Sequence, residues 1–271
     1  MSWVEEDIFQ GHIKAILYCW QGGQIGGLAV ADILSGAVSP SGKLTDTIAR
    51  KMEDYPSDRN FGDRKQNIYQ EDIYVGYRYF ETFCPEKVLY PFGFGLSYTK
   101  FSIRNAKGKL TENHGEKSIQ ILAEVSNIGE YSRKETVQVY VSAPQGLLGK
   151  PALELKAFVK TSLLAPGESE TVTLSIPVRG LASYDDSGIT GRKSAYVLEA
   201  GEYRFYAGNS IRQLQPVCIG EEQVWNVPAL VVMEQLEEAL APILSFERMK
   251  PSEKKRTEPG NLRMNLLLCA R

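Results

Sequence analysis

The chain has 271 residues, 43% of them apolar and 24% charged, with a formal net charge of −2. That is the make-up of a globular protein, with no basic field for nucleic acid and no polyanionic character. The length fits one large domain or two ordinary ones; no apolar run approaches the ~20 residues that span a bilayer, and no charged-then-apolar leader opens the chain.

Four scattered cysteines, Cys19, Cys84, Cys218 and Cys269, contain no CxxC pair. This favours reduced, mostly buried thiols in a cytoplasmic protein over a zinc site or a disulfide framework. His12 and His114 are the only histidines, too few for metal or triad chemistry. No cofactor and no metal are expected.

The first predicted element is the apolar run Lys14-Ala-Ile-Leu-Tyr-Cys-Trp20, which reads as a buried strand. A glycine-rich turn follows, Gln21-Gly22-Gly23-Gln24-Ile25-Gly26-Gly27. Leu28, Ala31 and Leu34 are then three residues apart, as in a helix packed on a sheet, and Gly36 and Pro40 stop it. Strand, turn and helix form the βα half of a crossover unit.

Residues 51–70 are polar and loose. Ile73 to Phe80 alternates β-branched and aromatic residues and predicts a strand. Pro91-Phe92-Gly93-Phe94-Gly95-Leu96-Ser97-Tyr98 predicts an irregular packed turn that ends the domain.

From about Phe101 the texture becomes all-β. Strands are predicted at Ser118–Val125, Thr136–Ser142, Leu153–Lys160, Glu170–Pro177, Ala195–Leu198 and Tyr203–Ala207. Turn signals separate them at Asn127–Gly129, Ala165–Glu168, Asp185–Gly188 and Glu199–Gly201. Strands this short and this often interrupted predict a β-sandwich. Leu230 to Leu240 fits a strand or a helix. Beyond Lys250 the chain is charged and polar, which predicts no structure, before an apolar end, Met264 to Arg271.

Several blocks resemble family 3 glycoside hydrolases, chiefly bacterial β-glucosidases. These are Trp20-Gln-Gly-Gly23 with Gly26-Gly27 and Ala31-Asp-Ile-Leu-Ser-Gly36; Pro40-Ser-Gly-Lys-Leu44 with Glu53-Asp-Tyr-Pro56; Tyr69 to Phe80; and Tyr90 to Tyr98, the most specific. The region after Phe101 is similar to that family's fibronectin type III-like domain, through Val125-Ser-Asn-Ile-Gly129, Val137-Gln-Val-Tyr-Val141, Leu155-Lys-Ala-Phe158, Leu164-Ala-Pro-Gly-Glu168 and Gly201-Glu-Tyr203. One departure is Ala195-Tyr196, where the family often has Trp.

The resemblance implies an α/β partial sandwich domain over residues 1–100, then an all-β immunoglobulin-like (fibronectin type III-like) sandwich over 101–220, and a linker and tail over 221–271. A retaining glycosidase needs two carboxyl groups about 5–5.5 Å apart. In the family the nucleophilic Asp lies on a TIM barrel and the acid/base Glu in a Gly-Glu-Gly-aromatic-Asp-Arg block; neither is recognisable here. No catalytic residue is therefore assigned. The expected function is that of a fragment of a β-glucosidase-type enzyme, inactive alone. Its expected partners are the missing TIM-barrel domain and, in the complete enzyme, a β-glucoside or oligosaccharide, with no nucleic acid and no membrane. The alternative is a non-catalytic carbohydrate-binding or interaction module. The segment Val227 to Lys250, with Glu234-Gln-Leu236 and Phe246-Glu-Arg248, resembles the connector of order-swapped enzymes whose barrel follows the β-sandwich.

Among the carboxylates, Glu5-Glu-Asp7 reads as a solvated turn or helix start. Glu71-Asp72 precedes the predicted strand, where successive side chains diverge. Asp185-Asp186 reads as turn chemistry. The substrate-binding candidates are Trp20, Gln21, Gly22 and Gly23, because ligands of open α/β sheets bind beyond the carboxyl ends of strands. Two readings of Trp20 stand: a ring stacked on a sugar face, or a core side chain beside a tight turn. The glycine spacing does not fit a phosphate loop. Tyr74, Tyr77, Tyr79, Phe80, Phe92, Phe94 and Tyr98 read as packing in preference to a sugar platform.

Overall fold

The computed structural model describes residues 13–65, 69–237 and 249–251. The expectations for Glu5–Asp7 and for the chain beyond Pro251 lie outside them. The chain divides into two compact units, one reaching Pro40 and one starting at Ser41.

In the first unit, helix α1 (Gly26–Leu34) forms where the apolar period predicts it. Its turn closes through Gly26 N to Gly23 O at 2.9 Å, and Leu28 N to Ile25 O at 3.0 Å. Ser35 and Gly36 end it, Gly36 with φ of +80°. The predicted strand at Lys14–Trp20 is absent: the segment has no ladder partner among the described residues, and Ile16, Leu17 and Tyr18 are exposed. A parallel strand is held by neighbours on both edges and helices on both faces. None of these is supplied by residues 13–40, so the apolar pattern stays unspent.

The second unit begins with a polar stretch containing 3₁₀ turns at Met52–Asp54 and Pro56–Arg59, and the short strands β1 (Ile48–Ala49) and β2 (Val88–Tyr90) pair antiparallel across it. The strand predicted at Ile73–Phe80 is instead a turn leading into helix α2 (Tyr77–Phe83). Gly76, at φ +57°, reverses the chain just before the helix in a conformation that suits glycine. The buried residues are Tyr74, Tyr77 and Phe80, spaced by three, while Ile73 and Val75 face solvent. The helical period was present beneath an alternation carried by exposed side chains.

The sandwich contains β3 (Phe101–Asn113), β4 (Glu116–Asn127), β5 (Thr136–Ser142), β6 (Glu154–Lys160), β7 (Ser169–Pro177), β10 (Gly201–Ser210) and β11 (Gln213–Ile219), in the order β6-β5-β10-β11-β3-β4-β7. The ladder is continuous because β11 pairs parallel with β3 at Cys218–Lys107 and Ile219–Gly108, joining the two sheets along one side. On β10, β12 (Trp225–Val227) adds a further pairing. The strands β8 (Ser183–Asp185), β9 (Ala195–Leu198) and β13 (Val231–Gln235) form a separate small sheet. The ambiguous segment after Leu230 is thus a strand through Gln235. Strands β3, β8, β11 and β12 were not predicted.

Inward residues alternate as an antiparallel sandwich requires. Ile119, Ile121, Ala123 and Val125 of β4 meet Val137, Val139 and Val141 of β5, Val172, Leu174 and Ile176 of β7, and Tyr203, Phe205 and Ala207 of β10. Strand β5 is buried on its other face too. There Gln138 and Tyr140 meet the segment from residues 41–100.

Candidate functional site

That outer face of β5 is where the two textures of the second unit are bound together. Tyr77 stacks on Phe92 with ring centroids 4.5 Å apart and meets Tyr140 edge-on at 6.2 Å. Leu155 N donates to the Tyr77 hydroxyl at 2.9 Å, and Ala152 N to Thr82 Oγ1 at 2.9 Å. Gln138 Nε2 reaches Asn209 O at 3.0 Å and Gly93 O at 3.4 Å, while Tyr140 donates to Gln138 Oε1 at 2.5 Å. Gly93 has φ of +76°, and a Cβ there would lie 2.3 Å from Gln138 Oε1, so this position of the Pro91–Tyr98 motif has to be glycine. The aromatic cluster expected to be packing is packing for Tyr74, Tyr77, Phe80 and Phe92; Tyr98 is exposed.

Three buried carboxylates were not singled out in the sequence, and each is tied to a cation. Lys43 Nζ meets Glu135 Oε1 at 2.9 Å. Arg212 Nε meets Glu81 Oε1 at 2.8 Å, with Arg212 Nη2 also on Pro85 O at 2.9 Å. Lys150 Nζ meets Glu199 Oε2 and donates to Pro144 O at 2.9 Å. Burial pushes the Lys43 and Lys150 ammonium groups down, opposed by the partner carboxylate in each case. Burial pushes the Glu81 carboxyl up, with the Arg212 guanidinium pulling the other way. Two of these pairs, Lys43–Glu135 and Arg212–Glu81, cross between residues 41–100 and the sandwich. No local sequence signal marks them, since the partners are far apart in the chain.

The carboxylates weighed from the sequence behave as structural groups. Asp185 accepts from Gly188 N at 2.6 Å, Ile189 N at 3.1 Å and Thr190 N at 2.9 Å, and from the Thr190 hydroxyl at 2.6 Å. Desolvation opposes its charge, yet these bonds hold its carboxyl below the usual range. This is the turn chemistry expected there. Glu71 is raised by burial, against a hydrogen bond from Ser57, and precedes a turn and α2 instead of a strand. Among the described residues no three His, Cys, Asp or Glu side chains cluster as metal ligands would. Cys19, Cys84 and Cys218 are free thiols; Cys84 is buried, and Cys19 departs from expectation in being exposed.

The candidates Trp20, Gln21, Gly22 and Gly23 belong to the first unit. Trp20 takes a positive φ of 52° and is 57% exposed, its ring edge-on to Tyr18 at a centroid distance of 4.7 Å. It is not a core side chain in this structure. A Cβ on Gly22 would lie 3.2 Å from Gly26 Cα, so glycine there lets the turn close, whereas Gly23 faces open space. The four residues form one exposed turn at the N-terminal end of α1.

Residues 1–98 match the model of the glycosyl hydrolase family 3 C-terminal domain, and residues 135–211 that of a fibronectin type III-like domain. A β-glucosidase from Ruminococcus albus is 51% identical over 87% of this chain and 24% of its own length. For β-glucosidase A from Butyrivibrio fibrisolvens the identity is 43%, over 92% of this chain and 31% of the relative. Among solved structures, a β-glucosidase from Paenibacillus barengoltzii superposes with a TM-score of 0.87 at 56% identity, over 93% of this chain and 27% of the other. β-Glucosidase 3B from Thermotoga neapolitana, in complex with glucose, gives 0.67 at 42% identity over 79% and 28%. The chain thus spans 24% to 31% of the length of these relatives. It belongs to glycosyl hydrolase family 3, and carries that family's C-terminal domain followed by the fibronectin type III-like domain.

Proposed function

We propose that this chain serves the hydrolysis of O-glycosidic bonds in β-glucosides as the accessory part of a β-glucosidase, and that it does not cleave a glycoside alone. The observation that carries this reading is the state of its buried carboxylates. Among the described residues Glu81, Glu135 and Glu199 are each held by a cation and Asp185 by a turn, so none of these four is left to act as nucleophile or acid/base. The nucleophilic Asp then belongs to a TIM-barrel partner, and the acid/base Glu to a Gly-Glu-Gly-aromatic-Asp-Arg block outside this chain. Residues 1–100 act as part of an α/β sandwich domain, residues 101–220 as the β-sandwich and residues 221–271 as linker and tail, in a cytoplasmic protein that does not bind nucleic acid.

Within this reading the turn Trp20-Gln21-Gly22-Gly23 contributes to the substrate wall, with the exposed indole stacking on a sugar face. The test is hydrolysis of an aryl β-glucoside by the purified chain. No turnover is expected; turnover abolished by Glu71→Gln or Asp72→Asn would overturn the proposal. The second reading, a non-catalytic carbohydrate-binding module, is favoured by one feature: the Tyr184 and Tyr196 rings pair at 5.1 Å on the small sheet, Tyr196 being exposed.

A further inference from the structure

A cleft of about 400 Å³ opens beside that tyrosine pair. One wall is the turn before α2 together with its first residues, including Asp72 and Arg78. The floor is the backbone Leu148–Pro151, and the far wall combines Glu154 and Lys156 of β6 with Tyr184 and Asp186. The volume falls within the range of small-molecule sites.

Its charges select a ligand class. The lining carries three basic side chains, Arg78, Lys150 and Lys156, and three acidic ones, Asp72, Glu154 and Asp186. Arg78 Nε lies 3.5 Å from Glu154 Oε1, and Lys156 Nζ 3.1 Å from Glu154 Oε2. Lys150 is turned away onto Glu199. With Lys150 on Glu199, two basic and three acidic side chains remain, and Glu154 is held by Arg78 and Lys156, so the cleft offers neither the excess of donors that an oxyanion needs nor the cage of carboxylates that a cation needs. What remains is a dense set of donors and acceptors beside one aromatic side chain, Tyr184. Such a wall fits a neutral, hydroxyl-rich ring, whose C–H face lies on an aromatic side chain while its hydroxyls reach charged groups.

We infer that this cleft binds a neutral monosaccharide unit, with Tyr184 as the stacking surface and Asp72 and Arg78 as hydrogen-bonding groups. The inference concerns binding by this chain itself and does not rest on the β-glucosidase reading. The test is a titration of the ¹⁵N-labelled full chain with D-glucose, cellobiose and, separately, inorganic phosphate. Saturable amide shifts are expected at Asp72, Ile73, Gly149 and Tyr184 with either sugar, and none with phosphate. Tyr184→Ala should weaken binding about tenfold and Tyr184→Phe less than about threefold, since the phenyl ring keeps the stacking face. Asp72 has a φ of +50°, which Asn tolerates, so Asp72→Asn removes the charge without straining the turn and should weaken binding about threefold or more. If Tyr184→Ala does not fold, Asp72→Asn decides. No sugar-induced shifts, shifts confined to residues 18–26, or saturable binding of phosphate in place of sugar would each overturn the inference.

Discussion

Residues 14–34 are richer in apolar side chains than the strands β4 and β5, yet the two end in opposite states. Ile119, Ile121 and Val125 are wholly removed from solvent, while Ile16, Tyr18, Leu28 and Leu34 remain exposed on α1 and on a segment with no ladder partner among the described residues. An apolar pattern specifies an element, but burial needs a second surface, and the hydrophobic contribution is proportional to the area covered. The sandwich supplies its own second surface because both sheets come from one stretch of chain. The first unit does not.

The largest test of this contrast is Phe205→Ala in the sandwich, which should cost about 3–5 kcal/mol of unfolding free energy, whereas Leu28→Ala on α1 should cost less than about 0.5. Urea denaturation followed by circular dichroism would compare them. Equal costs would mean that the first unit has a covered core.

Next comes the joint between residues 41–100 and the sandwich. Arg212→Met strands the Glu81 carboxylate in a buried site and should cost about 3 kcal/mol at neutral pH. The cost should shrink toward acid pH as Glu81 takes up a proton. Because the Glu81 carboxyl is raised by burial in the folded state, its contribution is largest below the unfolded pKa and is lost as pH rises through the folded one. Glu81→Gln should therefore gain on the parent protein as pH rises above the unfolded glutamate value of about 4. A gap in midpoints that does not change with pH would count against the assignment.

Asp185→Ala removes the acceptor of three backbone amides and should cost about 2 kcal/mol. The sign with pH is the reverse of that for Glu81. The Asp185 carboxyl is held low in the fold, so its stabilisation is present above the unfolded pKa and is lost as pH falls through the folded one. Loss of stability on acidification that is equal in the variant and the parent would sink this.

The smallest effect should be at Trp20. Trp20→Ala should leave the urea midpoint within about 0.5 kcal/mol of the parent, because an exposed ring has little burial to lose. In a complete enzyme the same change should raise the KM for an aryl β-glucoside severalfold. An unchanged KM would remove the residue from the site.

The sequence by itself determined the elements whose causes are local. Helix α1, strands β5 and β9 and the turn at Asp185–Gly188 all lie where period and turn chemistry place them, because neighbouring residues decide those features. Tertiary structure decided the rest. Strand β3 has few apolar residues and is held by its register with β4 and its parallel pairing with β11. Tyr77–Phe83 is a helix because Tyr74, Tyr77 and Phe80 find a covered surface on one side, which the alternation of exposed side chains around them concealed. Gln138 and Tyr140 are buried only because a distant segment lies across β5, and Glu81, Glu135 and Glu199 are tolerated inside only because distant cations reach them. The same holds for the cleft around Tyr184, whose walls come from three stretches of chain. Local pattern fixes what a segment can become; which of its faces is buried, and beside which charge, depends on residues that the segment itself does not contain.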